Sequence, residues 1–177
     1  MKMPEQLETE RLVLRKPRTD DAPAIFAGWA QDKEVTRYLT WRPHQRIEET
    51  QEFVRSCLSA WEQETRFPYM ITLKVTDEVI GMIDPRIEGS KMGIGYGAAR
   101  AHWGKGYITE ATRAIIDWAF QQPAIYRVYA TTDVENIASR RVLEKVGMQS
   151  EGILRKFILH PNSSDIPRDS YMYAITK

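Results

Sequence analysis

The chain has 177 residues, of which 42% are hydrophobic and 28% charged. This is the composition of a folded globular protein, not a disordered one, and the length suits a single domain over residues 1–177. The 25 Lys and Arg nearly balance the 24 Asp and Glu, so no overall field draws the protein to nucleic acid or an anionic membrane, and any anion site has to be local. Cys57 is the single cysteine and His44, His102 and His160 are scattered, which excludes an internal disulfide and gives no zinc-ligand spacing; a reducing cytoplasm is the expected setting. The segment Met1 to Arg15 mixes charge with apolar residues and has no signal-peptide core, and no run approaches a membrane span.

The segment Glu10–Arg15 alternates as a strand, and Pro17 with Thr19-Asp20-Asp21 supplies a stop and an N-cap. The helix that follows places Ile25, Phe26, Trp29 and Ala30 on one face, and Gln31 to Arg46 reads as a loop. From Ile47 to Glu64, apolar residues at Phe53, Val54, Cys57, Leu58 and Trp61 recur at helical spacing, which makes Cys57 a core residue. Three strands are predicted next: Tyr69–Val75, Val79–Ile87 and Met92–Ala98. Turns at Thr76-Asp77-Glu78 and Glu88-Gly89-Ser90 make them an antiparallel meander. A strong helix then carries the stripe Ala111, Ala114, Ile115, Trp118, Ala119. The remainder reads as strand Arg127–Thr132, helix Ile137–Val146 ending at Gly147, strand Met148–Leu159, a polar loop and strand Ser170–Thr176. A strand, crossover helix and second strand require at least one parallel pairing, so the class is α/β or α+β with a mixed sheet.

The most informative stretch joins the third meander strand to the helix through Trp103-Gly104-Lys105-Gly106-Tyr107. Two glycines let backbone N–H groups converge at a helix N-terminus, where unpaired donors and the helix dipole favour a phosphate. A dinucleotide fingerprint would need glycine at Thr109, and a Walker loop would need Ser or Thr at Gly106; neither fits, so a different phosphate ligand is favoured.

The stretch Trp103 to Ala111 resembles the pyrophosphate loop and helix of GNAT acetyltransferases. In the same order, Asn136-Ile137-Ala138-Ser139 leading to Glu144-Lys145-Val146-Gly147-Met148 resembles the family's second motif. Thr9–Arg15, Glu151–Arg155 and Arg168–Ile175 are similar to its RimJ/RimL-like branch, whose named members acetylate the N-termini of ribosomal proteins. The resemblance implies a GNAT fold: a central mixed, mostly antiparallel seven-stranded sheet, splayed at two parallel strands and flanked by about four helices. It also implies acetyl-CoA as co-substrate, no metal, and direct acetyl transfer to a primary amine in a ternary complex by a monomer or homodimer. The acceptor expected first is a protein N-terminus, and next a small amine such as an aminoglycoside, polyamine or amino-acid-like compound.

On the same resemblance, acyl-CoA enters a gap between Gly95-Tyr96-Gly97-Ala98 and Arg127–Thr132. Gly97 and Ala98 border it, Arg100, His102, Trp103, Gly104, Lys105, Gly106 and Tyr107 hold the pyrophosphate, and Asn136 and Ser139 meet the pantetheine arm. Ser139 is the implied acid for the departing thiolate and Tyr96 a participant at the splay. The carboxylates of Asp84, Glu88, Glu135 and Glu151 are candidate bases, Glu151 joining Ser139 and Tyr96 in the catalytic set. Leu143 stands where many members carry a tyrosine acid, which keeps a silent acyl-CoA binder as a third reading. The acceptor pocket is expected from Asp32–Arg46 and His160–Asp169, with Tyr38, Trp41 and Phe157 as contacts.

Overall fold

The computed structural model describes residues 2–177. Its first elements are strands β1 (Gln6–Glu8) and β2 (Leu12–Arg15), an antiparallel hairpin closed by Thr9 N–H donating to the Leu12 carbonyl at 3.0 Å. Alternation predicts one strand from Glu10; the chain turns at Thr9–Arg11 instead, because Glu10 and Arg11 lie in the connection. Strands β3 (Tyr69–Leu73), β4 (Val79–Glu88), β5 (Lys91–Ala98), β6 (Arg127–Asp133), β7 (Gln149–Ile158) and β8 (Arg168–Thr176) complete an eight-stranded sheet in the order β1-β2-β3-β4-β5-β6-β8-β7. The eighth strand beyond the expected seven is β1, a three-residue edge.

Helix α1 (Ala22–Ile25) runs into a π turn at Phe26–Ala30, followed by α2 (Lys33–Thr36), α3 (Ile47–Glu62), α4 (Tyr107–Gln121) and α5 (Ile137–Lys145). Helix α2 falls within the segment expected to be loop. It forms because the Asp32 side chain accepts from Glu34 N–H at 2.9 Å and so caps it. In the Thr19–Asp21 segment expected to supply a stop and an N-cap, Asp21 takes Arg18 N–H at 2.7 Å, which closes the first turn, and also forms a bidentate pair with Arg15 at 2.7 and 2.9 Å, both side chains buried. Removing either partner would strand a buried charge, a loss of about 3–5 kcal/mol.

The sheet is covered on both faces. Helices α4 and α5 bring Ala111, Ile115, Ala119 and Leu143 against Met92, Ile94, Val128 and Ala130 on one face. On the other, Ile25, Trp29 and Val54 from α1, its π turn and α3 pack with Met70, Met82 and Ala99. Cys57 is fully buried on α3, and burial pushes its thiol up to about 11. Among the described residues no helix is long and apolar enough to cross a membrane.

Every neighbouring pair is antiparallel except β5 and β6, whose crossover is α4. These two pair only at Lys91 with Arg127, Met92 with Val128 and Gly93 with Tyr129. Beyond Gly93 each strand continues to Ala98 and to Asp133 without its partner, and the sheet opens there as a wedge.

Candidate active site

Strand β5 presents different chemistry to the two faces of the wedge. Met92 and Ile94 face α4 and α5, and alternation puts Tyr96 with them. Gly93, Gly95 and Gly97 face the other way, on the side where Met82, the pairing partner of Gly97, packs under α1 and α3. Ala99 N–H donates to Ile80 across the β4 pairing. By the alternation of an antiparallel ladder, the N–H groups of Tyr96 and Ala98 therefore point away from β4, into the wedge. A strand edge with free donors is left where β6 has diverged.

Across the wedge, α5 begins at Asn136, whose Oδ1 accepts from Ser139 N–H at 3.1 Å as an N-cap. That bond commits the carbonyl oxygen and leaves the amide NH2 to face outward. One helical turn on, Ser139 Oγ lies 2.9 Å from the Tyr96 hydroxyl, which also reaches the Ser139 carbonyl at 3.2 Å. Burial, only partly offset by this bond to Ser139, holds the Tyr96 phenol well above its usual range, so it stays protonated and acts as a donor. Leu143 is fully buried in the core, and Tyr96, from β5, supplies a second hydroxyl beside Ser139.

The glycine loop lies at the carboxyl end of β5. Gly104 (φ 74°) and Gly106 (φ 81°) both adopt left-handed backbone, Gly106 as the N-cap of α4. The N–H groups of Gly104, Lys105 and Gly106 find no acceptor among the described residues. Trp103 folds back and donates Nε1–H to the Ala98 carbonyl at 2.8 Å while its ring stays half exposed. His102 Nε2 is 3.0 Å from Glu78, and Arg100 Nε is 3.1 Å from Asp32. These two expected phosphate ligands are thus tied to neighbouring turns, whereas Lys105 forms no ion pair among the described residues.

A clamp under this loop has no local signal in the sequence. Glu110, in the first turn of α4, accepts from Thr9 Oγ1 at 2.6 Å, Arg11 N–H at 2.9 Å and Arg11 Nε at 2.7 Å. Arg11 also donates to the Lys105 carbonyl at 3.0 Å, its guanidinium 4.6 Å from the Tyr107 ring centre. The partners stand 99 and 101 residues apart in the sequence, so only folding reveals them.

The segments 32–46 and 160–169 are joined by hydrogen bonds. Asn162 Nδ2 donates to the Thr36 and Trp41 carbonyls, both at 2.7 Å, and Tyr38 lies edge-on to His160. Trp41 is local core, stacked with His44 and Phe53, and Phe157 is half exposed on the edge strand β7. His160 is buried beside the Asp133–Arg168 pair, Nε2 3.8 Å from Asp133 Oδ2, with neither ring nitrogen hydrogen-bonded.

Glu151 is not brought to the Tyr96–Ser139 pair. It sits at a bulge of β7, on the far side of β8 from β6, and its carboxylate is held in a two-armed pair by Arg127, the residue opposite Lys91 at the closed end of the wedge. Glu88 is held by the Tyr129 hydroxyl and Lys91, and Glu135 by Arg168. Asp84 is buried, bonded at Oδ2 by Arg66 at 2.8 Å, with Oδ1 unpartnered.

The family model described as an acetyltransferase (GNAT) domain matches residues 11–149. The chain belongs to the GNAT acetyltransferase family. It is 36% identical over 180 residues to the uncharacterized N-acetyltransferase p20 of Bacillus licheniformis, covering 98% of this chain and 97% of that one. A GNAT-family acetyltransferase from Bacillus anthracis superposes with a TM-score of 0.84 at 29% identity, over 97% and 98% of the two chains. RimL, a ribosomal L7/L12 α-N-protein acetyltransferase solved with coenzyme A, shares the fold at a TM-score of 0.84 and 22% identity, over 97% and 98%. This GNAT protein is an acetyl-CoA-dependent N-acetyltransferase. Its residues fit the co-substrate: the open donors of Gly104–Gly106 suit a pyrophosphate, and the free β5 edge suits an amide-bearing arm laid along it as an added strand.

Proposed function

We propose that this GNAT protein acetylates the α-amine of a protein or peptide, the amine entering from the glycine-lined face of the wedge and the thiol leaving toward Ser139 on the other. The observation that carries this reading is the Tyr96–Ser139 hydroxyl pair on one face of β5, set against the side-chain-free strip of Gly95 and Gly97 on the other. Acetyl-CoA supplies an already activated acyl group as a thioester. The backbone donors at Gly104, Lys105 and Gly106 hold its pyrophosphate, Trp103, Tyr107, Arg100 and His102 shape the surrounding loop, and Lys105 adds positive charge. The Asn136 amide NH2 orients the pantetheine arm along Gly97 and Ala98.

The N–H groups of Tyr96 and Ala98 favour negative charge on an oxygen between the strands. The Tyr96 hydroxyl holds Ser139 through its carbonyl at 3.2 Å and its Oγ at 2.9 Å, and the Ser139 hydroxyl so placed meets the departing sulfur. A thiol with a pKa of about 8.5 already leaves fairly well near neutrality, so this donor assists the step without having to be a strong acid. The amine sheds its proton to water reaching the partly exposed Gly95 and Gly97. A protein terminus is favoured because the glycine strip gives a main chain room to lie against β5, and because the RimL structure that shares this fold acts on such an amine.

The test is CoA release on mixing purified protein and acetyl-CoA with peptide amino termini, polyamines and aminoglycosides. Peptide-dependent release is the expected result. Release with small amines alone would reject the protein acceptor, and tight acetyl-CoA binding without turnover of any amine would reject transfer.

A further inference from the structure

On the glycine-lined face of the wedge, β4 places Asp84 opposite Gly95 and Arg86 opposite Gly93. The Arg86 side chain runs along this face until Nη2 lies 3.6 Å from where a Gly95 Cβ would stand, in contact with the strip at the residue next to Tyr96. Any side chain at position 95 would have to share that space with the guanidinium.

The other charges on this face are already matched. Arg66 takes Asp84 Oδ2 at 2.8 Å, Lys91 takes Glu88 at 3.3 Å, and Arg127 takes Glu151. Arg86 reaches the Asp84 oxygen already held by Arg66, and only at 3.4 Å, while its side chain remains 54% exposed. Farther along the same face Arg168 takes Asp133 at 2.6 Å and Glu135 at 2.8 Å, so the cation with the weakest and most exposed carboxylate contact is Arg86. A guanidinium has five donors in a planar fork suited to a carboxylate, and nearly all of them are unused here.

We propose that Arg86 selects acceptors carrying a carboxylate one or two residues from the reacting amine, such as a peptide whose amino terminus is followed by an acidic side chain. This rests on the acetyl-transfer reading and narrows its acceptor class. The fork grips the acid above Gly95 while the amine extends past Gly95 toward the acyl group near Tyr96. A charge-assisted pair of this kind favours the acid over its neutral isostere by roughly tenfold or more.

The test compares two matched acceptor pairs, hexapeptides beginning Ser-Glu or Ser-Gln and the C-terminally amidated dipeptides Gly-Glu or Gly-Gln, in wild type, Arg86→Ala and Arg86→Lys. In wild type, kcat/KM for the acidic member should exceed its amide partner by about tenfold, mostly through KM. Arg86→Ala should bring that ratio near one, and Arg86→Lys should restore part of it. A wild-type ratio near one overturns the proposal. So does an Arg86→Ala protein that loses acid and amide equally, which is what a purely structural role through Asp84 would give. Turnover of the dipeptides alone with the acid preference intact would reject the protein-terminus reading and uphold Arg86; turnover of the amide members alone would reject Arg86 and keep the transfer reading, and no turnover of any acceptor would reject both.

Discussion

The hydroxyls of Tyr96 and Ser139 approach to 2.9 Å although they come from β5 and from α5, elements that separate at the wedge. The Tyr96 hydroxyl, kept protonated by burial, touches both the carbonyl and the Oγ of Ser139, so the two side chains form one unit.

Replacing Ser139 with Ala should lower kcat by about 10²-fold, the lower end of what a positioned proton donor contributes, with little change in the KM for acetyl-CoA. Tyr96→Phe should cost less, and the double variant should be no slower than Ser139→Ala, since Tyr96 acts by holding Ser139. Steady-state kinetics of the three proteins check this; additive losses would show that the hydroxyls act separately.

A left-handed non-glycine residue costs about 1–2 kcal/mol, and a Cβ added at Gly106 (φ 81°) would come into contact with Arg11 Nη2 at 3.4 Å. Gly106→Ala should therefore lower the thermal midpoint by a few degrees and weaken acetyl-CoA binding about tenfold. Calorimetric titration with acetyl-CoA is the measurement, and unaltered affinity would mean that the loop donors are not the anion cradle.

Arg11 and Glu110 lie beneath the same loop. Arg11→Ala frees the Lys105 carbonyl and leaves Glu110 without its ionic partner, so acetyl-CoA affinity should fall several-fold while kcat at saturation holds. Glu110→Gln keeps the bond geometry in part and should lose less. Affinities from titration and kcat at saturating acetyl-CoA would separate loop positioning from chemistry.

Stability should depend on pH through His160. Burial holds its imidazole below the usual 6.5, with the Asp133 carboxylate opposing only in part. The unfolded chain then takes up a proton near pH 6.5 that the folded chain refuses until lower pH, so stability is full above 6.5 and falls as pH drops below it. His44 is shifted in the same sense by burial, so His160→Gln should flatten the slope between pH 7.5 and 5.5 without abolishing it. Thermal midpoints across that range are the readout, and an unaltered slope would remove His160 as the cause.

The helices α3, α4 and α5 and the β3–β5 meander were readable in the sequence because each repeats a local period: apolar residues every three or four positions, or alternation bounded by Asp77 and Gly89. The glycine loop was readable for a similar reason, since two glycines before an amphipathic helix state a backbone conformation directly. A boundary suffered where a side chain found a distant partner: the turn at Thr9–Arg11 is held by Glu110, about a hundred residues on.

What the sequence by itself determined, then, is what neighbours along the chain decide: periodicity, turns, and the left-handed glycines. The tertiary structure alone decided the rest. Whether β5 and β6 stay paired past Gly93, which hydroxyl stands beside Ser139, and why Glu151 is spent on Arg127 while Arg86 is left nearly free depend on contacts between residues tens of positions apart. Such contacts are made by how two helical layers fit one twisted sheet, and no local pattern encodes them.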